Sequence, residues 1–361
     1  MPRRLIALAL ASLLAACAGA GSSESAPNGP ADEQDEQDVV GATRLASGLQ
    51  DPTDLAMRGD ALYFATNWGF ATQQEAEYHH DVWVKAASGK AKRLYKGLYG
   101  GSWKVVPTKN GIYEINEGYA SVMRLALDGS SKDGGKSIFH ALVDENSEYP
   151  EPDMSALDAD DDGVAIAQRT GKILAMSPAG ERTIELGKTK DPHALKIAGS
   201  RVLVGNEAGE LLAASRDGKG SLEKIATGEG PVKQIVERDG TIAFVCQGQS
   251  SKSGKVYVLP KGAKKAALVA DGTSFSKIAL DGTRVLYSDF GAEKIFARSI
   301  GPDGPIDAPK ALFATPRPGD LLPTQAGLYV ASWALGPEKP GPDGEGVSRE
   351  YMGAVYRLKA Q

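Results

Sequence analysis

The chain has 361 residues, with 41 basic and 46 acidic side chains and a formal net charge of −5. No basic stripe interrupts this balance, which argues against nucleic acid as a partner. The only cysteines are Cys17 and Cys246, so a disulfide framework is excluded and a buried core must supply the stability. The 43 glycines suit an all-β chain with frequent turns.

The N-terminus opens with Arg3 and Arg4, runs apolar from Leu5 to Ala16 and then reaches small residues, the pattern of a secretory signal. The run is shorter than the about 20 residues that a spanning helix requires. Leu14, Ala15, Ala16 and Cys17 resemble the lipobox of bacterial lipoproteins. That resemblance implies a signal peptide over 1–16, lipidation of Cys17, and a cell-envelope location facing the periplasm or the cell surface. Ala18 occupies the position where an aspartate favours inner-membrane retention, so the outer membrane is expected. Residues 17–40 carry Gly, Ser, Ala and Pro followed by the acidic run ADEQDEQD, with almost nothing apolar to repay ordering, and read as a solvated tether. The folded domain is expected over 41–361.

That domain repeats. Strand-like runs begin at Ala61, Gly111, Gly163, Arg201, Thr241, Arg284 and Gly327, a mean spacing of about 44 residues, which falls in the range of four-stranded propeller blades. Each copy has a short first strand, a Gly/Asp/Asn turn, a strongly apolar second strand such as Arg201–Asn206, a third strand, and a fourth after an Asp-Gly-type turn. The second strands are apolar on both faces, as radially stacked blades require and an open sandwich does not. The expected fold is therefore an all-β propeller of seven four-stranded blades; six or eight follow if a segment such as Asp144–Asp153 reads differently. The last copy, ending in GAVYRLKA, lacks a fourth strand. TRLASGL, from Thr43 to Leu49, looks like KRLYKGL of the first full copy and can supply it, closing the ring without an exposed edge.

Arg284–Gly304 and Gly111–Ser130 resemble the YWTD repeat, and with it YWTD/NHL-like propellers, through Tyr287, Ser288, Asp289, Ile295, Arg298, Asp303 and Gly304 in the better copy. The resemblance implies a propeller used for protein binding or scaffolding more often than for chemistry. The expected function is a non-catalytic, lipid-anchored binding or scaffolding module for a protein or envelope ligand. A monomer without a cofactor is expected, tied to the membrane through its lipid.

A ring of polar residues ends the second strands: Asn67 and Trp68, Asn116 and Glu117, Gln168 and Arg169, Asn206 and Glu207, Gln247, Asp289, and Trp333. The binding face is expected around Trp68, Trp333, Asn67, Glu117, Arg169, Glu207, Gln247 and Asp289. Two long loops, Gly69–Asp81 and Ala334–Gly353, join second to third strands beside Trp68 and Trp333, where a rigid scaffold commonly carries function. The alternative is a Ca²⁺-dependent hydrolase resembling lactonases of the gluconolactonase type, with Asn116, Glu117, Asn206 and Asp289 as central oxygen ligands.

Other constellations carry less. No G-x-S-x-G elbow or C-x-x-C-H haem site occurs. The adjacent His79 and His80 read as surface loop residues. Asp158–Gly163 places a glycine sixth, as an EF-hand loop does, but Arg169 stands where the twelfth-position glutamate would be, so ALDADDDG reads as a solvated turn. Cys246, inside TIAFVCQG, reads as a small buried hydrophobe.

Overall fold

The computed structural model describes residues 33–34, 37–39, 41–68, 79–99, 102–116, 121–131, 135–140, 154–247, 254–272, 275–333, 335–340, 347–351 and 353–359. All belong to one unit, Ala31–Gln361. The described residues form strands and turns and no helix.

Seven antiparallel sheets follow one another along the chain. Their innermost strands are Pro52–Arg58, Ser102–Thr108, Ala156–Asp160, Pro192–Ala198, Val232–Arg238, Phe275–Asp281 and Pro318–Thr324, in blades 1 to 7. Each of these strands touches the next, and that of blade 7 touches that of blade 1, so the sheets close into a seven-bladed propeller. Every innermost strand turns into the second strand through a two-residue hairpin, from Arg58↔Ala61 in blade 1 to Thr324↔Gly327 in blade 7. Such turns need positive φ at their tips, which Asp239 (φ 53°) and Gly240 (φ 88°) supply in blade 5.

The last blade is completed as the sequence anticipates. Ala42–Leu49 lies antiparallel along Gly353–Leu358, from Ala42↔Leu358 to Leu49↔Gly353, and is the fourth strand of blade 7. Pairing extends into the stretch read as tether: Gln37–Val39 adds outside Ala42–Leu49, and Glu33–Gln34 pairs with the outer strand of blade 1. The segment 144–153, on which the blade count depended, lies outside the described residues, yet the ring counts seven without it.

Apolar burial is organised by junction. Among the described residues there is one hydrophobic cluster between each pair of neighbouring blades, because both faces of a blade's inner strands pack on a neighbour. At the junction of blades 7 and 1, Leu45 and Leu49 from the closing strand join Leu55, Phe64, Trp83, Tyr329 and Val355. Trp83 is fully buried, stacks on Phe64 at 5.9 Å and donates its indole N–H to Thr66 Oγ1 at 3.2 Å. Cys246 is fully buried between blades 4 and 5, where desolvation pushes its thiol up to about 12 and leaves it unreactive at neutral pH.

Candidate functional site

The innermost strands carry the charge that the sequence analysis overlooked. In six of the seven, the register shifts near the strand start, as at Thr53/Ala56, Ser102/Val105 and Phe275/Ile278. A bulge re-aims the side chains beside it. In five blades, a polar residue at this point precedes the aliphatic residue that packs between blades: Asp54-Leu55, Lys104-Val105, Gln234-Ile235, Lys277-Ile278 and Asp320-Leu321. In blades 3 and 4 the equivalent charges, Asp158 and Lys196, stand further along the strand. Together these side chains line the channel wall.

On the side of blades 2 to 4 the charges saturate one another. Asp158 accepts from Lys104 Nζ at 3.0 Å, from Lys196 Nζ at 2.9 Å and from the Ile197 amide at 2.8 Å. Burial pushes its carboxyl up, but the two ammonium groups and these hydrogen bonds outweigh it and hold the carboxyl well below the usual range. Asp160 accepts two bonds from Arg216 and also caps its turn through the Asp162 and Gly163 amides. The acidic run therefore divides. Asp161 and Asp162 are the exposed turn that the sequence suggests, whereas Asp158 is a buried channel residue.

Around blades 5 to 7 and 1 the polar side chains grip backbone. Gln234 accepts from the Ile278 amide at 2.8 Å, and Asp320 accepts from the Leu55 amide at 2.7 Å across the closure between blades 7 and 1. Asp54, held at φ 53°, is 8% exposed, and its Oδ2 has no hydrogen-bond partner. Burial raises its carboxyl to about 7; Asp320 adds to that, while Lys277, Lys104 and His80 oppose it. Groups from blades 6, 7 and 2 act on Asp54 together. Burial works against the Lys277 ammonium, but Asp320 and Asp54 raise it on balance.

His80 is not a surface residue. The third strand of blade 1 begins at His79, so alternation turns His80 inward, where it is fully buried and bonded through Nε2 to the fully buried Glu114 of blade 2 at 2.8 Å. Tight pairing like this makes it a strut between two blades.

The rim residues are mostly committed to their neighbours. Asn206 is buried; its Oδ1 accepts from the Glu210 amide at 2.9 Å and its Nδ2 reaches Thr189 and Glu210. Glu207 forms a close pair with His193. Arg169 donates to Met154 O, Gln247 donates to Phe275 O, and Asp289 Oδ1 accepts from the Gly291 and Ala292 amides, each at 3.0 Å. Trp333 donates its indole N–H to Pro52 O at 2.6 Å, from blade 7 to blade 1, and meets Phe290 of blade 6 edge-on at 5.9 Å. Gly319 makes room, since a Cβ there would stand 2.5 Å from the indole nitrogen. The side chains of Asn67, Trp68 and Asn116, and all of Glu117, lie outside the described residues, as does Cys17. Among the described residues no group of three or more His, Cys, Asp or Glu side chains is placed to hold a metal ion.

Seven blades closed by an N-terminal strand define the class: the protein is a seven-bladed β-propeller. No protein-family profile and no curated sequence matches the chain. Its fold is similar to BamB from Moraxella catarrhalis, at 12% identity and TM-score 0.51, covering 89% of this chain and 99% of that one. A candidate 6-phosphogluconolactonase from Bacteroides uniformis is similar at 13% identity and TM-score 0.53, covering 75% and 91%. So is the computationally designed Ika8 protein, at 11% identity and TM-score 0.51, covering 87% and 98%. At these identities the likeness is one of fold, and function must come from the site.

Proposed function

We propose that the protein is a lipid-anchored propeller of the cell envelope, held through Cys17, whose rim acts as a non-catalytic binding or scaffolding surface for a protein or another envelope component. One observation carries this reading. Leu335–Pro340 and Val347–Tyr351 form a two-stranded hairpin inserted between the second and third strands of blade 7, and it belongs to none of the seven sheets. The ring does not need it for closure, so it is available for contact with something else. The rim beneath it supports the same reading, because side chains bonded to turns and neighbouring backbone make a stiff platform that loses little entropy on docking. The envelope address rests on the Leu14–Cys17 lipobox, and the similarity of fold to BamB is consistent with it.

Replacing 336–350 with a short glycine-rich turn tests the proposal. The variant is expected to keep the wild-type melting temperature and palmitate labelling while losing its crosslinks to envelope proteins in cells. Unchanged crosslinks would overturn the rim assignment. Ca²⁺-dependent hydrolysis that disappears with Asn206→Ala or Asp289→Ala would replace it with the enzymatic reading.

A further inference from the structure

The channel ring is complete except for one arc. Lys104 and Lys196 are both paired with Asp158, Gln234 is bonded to Ile278, and Asp320 accepts from the Leu55 and Leu321 amides. What remains is Lys277 of blade 6, with no carboxylate within ion-pair distance among the described residues, and Asp54 of blade 1, with its Oδ2 unpartnered. They flank Asp320 of blade 7. Asp320 retains acceptor capacity, since each carboxylate oxygen can take a second donor and only one amide reaches each.

A buried carboxylate oxygen without a donor costs more than a satisfied one, so the arc is built for something that donates. Its charge narrows the choice. With Asp54 ionised, the arc holds two carboxylates against one ammonium, a deficit of one positive charge. A divalent ion would overshoot that deficit and would sit beside Lys277 and Lys104. A group carrying one positive charge and several N–H donors meets both needs. Lys277 is half-buried and Lys104 keeps 31% of its side chain exposed, so the arc borders solvent on the lysine side.

We infer that the channel arc formed by Asp54, Lys277 and Asp320 binds a primary ammonium group, carried by a small amine or by a lysine side chain, with the two carboxylates as acceptors and Lys277 limiting the site to one added charge. The groups facing Asp54 are Lys277 from blade 6, Asp320 from blade 7, Lys104 from blade 2 and His80 from its own blade. Binding requires the ionised carboxylate and therefore competes with its proton. The site is distinct from the rim, so deleting the blade 7 hairpin is expected to leave it intact.

The test is calorimetric titration of the full chain with n-butylammonium chloride at constant ionic strength, against sodium chloride as control. Saturable binding is expected, about tenfold tighter at pH 8 than at pH 6, because affinity scales with the fraction of Asp54 that is ionised. Asp54→Asn should abolish it. Lys277→Met, assayed at pH 9, should tighten it, and this variant decides the matter if Asp54→Asn does not fold. An Nα-acetyl-lysine amide arm separates the sources: binding equal to butylammonium identifies a lysine side chain as an acceptable ligand, and binding by the alkylamine alone identifies a free amine. An equal response to sodium, retention of binding in Asp54→Asn, or no tightening in Lys277→Met would overturn the inference.

Discussion

The junction between blades 3 and 4 and the closure between blades 7 and 1 bury charge in opposite ways. In the first, Asp158 meets two ammonium groups and an amide, so every donor has an acceptor. In the second, Asp320 takes one amide on each oxygen and Asp54 is left with a bare oxygen. The two regions share a fold, an innermost strand and a residue type. What differs is how the chain passes through them: blades 3 and 4 are built from one continuous stretch, whereas blade 7 is completed by the N-terminal strand Ala42–Leu49, which then leads into blade 1. The closure already depends on a strand borrowed from the far end of the sequence, and it is also where the wall has spare binding capacity.

The largest effect is expected from removing the borrowed strand. Deleting 42–49 takes away Leu45 and Leu49, each fully buried, and opens the ladder against Gly353–Leu358. Truncating one buried leucine costs about 2 to 5 kcal/mol, so losing two together with the ladder should abolish the cooperative melt seen by circular dichroism. Deleting 18–30 is the control and should leave the melt unchanged.

Asp158→Ala attacks the other region. It strands Lys104 and Lys196, and breaking a buried pair from one side costs about 3 to 5 kcal/mol. About 3 kcal/mol is expected, since both lysines keep close to a third of their side chains in water, at 31% and 33% exposure. Urea titration at pH 7 measures it; a change below about 1 kcal/mol would show that the saturated wall contributes little.

The pH dependence of the two aspartates should have opposite signs. Asp54 is harder to ionise in the fold, at about 7, than in the unfolded chain, so the folded state binds the extra proton. Its contribution is present at low pH and lost as pH rises from about 4 to about 7. Asp158 is easier to ionise in the fold, so its contribution is present above the unfolded value and lost on further acidification. Asp54→Asn should therefore flatten the slope between pH 4 and 7 and add up to about 4 kcal/mol at pH 8, whereas Asp158→Asn should flatten the acid limb alone. A wild-type stability profile with no fall between pH 5 and 8 would contradict the Asp54 assignment.

Architecture was legible in the sequence because it depends on periodicity. The recurrence of an apolar second strand, and a TRLASGL that matches KRLYKGL, follow from a unit copied along the chain, and strand order in a propeller is nearly strand order in sequence. The channel wall was not legible, because a charge in a five- to seven-residue strand looks like the wet face of an ordinary amphipathic strand. Only the closed ring turns that face inward. A signal was present in Asp54-Leu55, Lys104-Val105, Gln234-Ile235, Lys277-Ile278 and Asp320-Leu321, a polar residue placed before an aliphatic one at the same point of five of the seven copies. His80 failed for a related reason: HHD follows a long loop, and a one-residue difference in where the strand starts decides which histidine is buried.

Trp333 gives the smallest and most selective test of the closure. Its position under a long connection suggested a ligand anchor, but its indole N–H is spent on Pro52 O and its ring lies against Phe290, so within the described residues it ties blades 6, 7 and 1 together. Trp333→Phe keeps an aromatic ring over Gly319 and removes the donor. The loss of one hydrogen bond to a backbone carbonyl should cost about 1 kcal/mol in urea titration. Because the bond crosses the closure, hydrogen exchange should quicken in 42–49 and 52–58 and stay unchanged in blades 3 and 4. Uniform quickening around the ring would mean that the closure is no weaker than any other junction, and that the contrast between the two regions is confined to their charges.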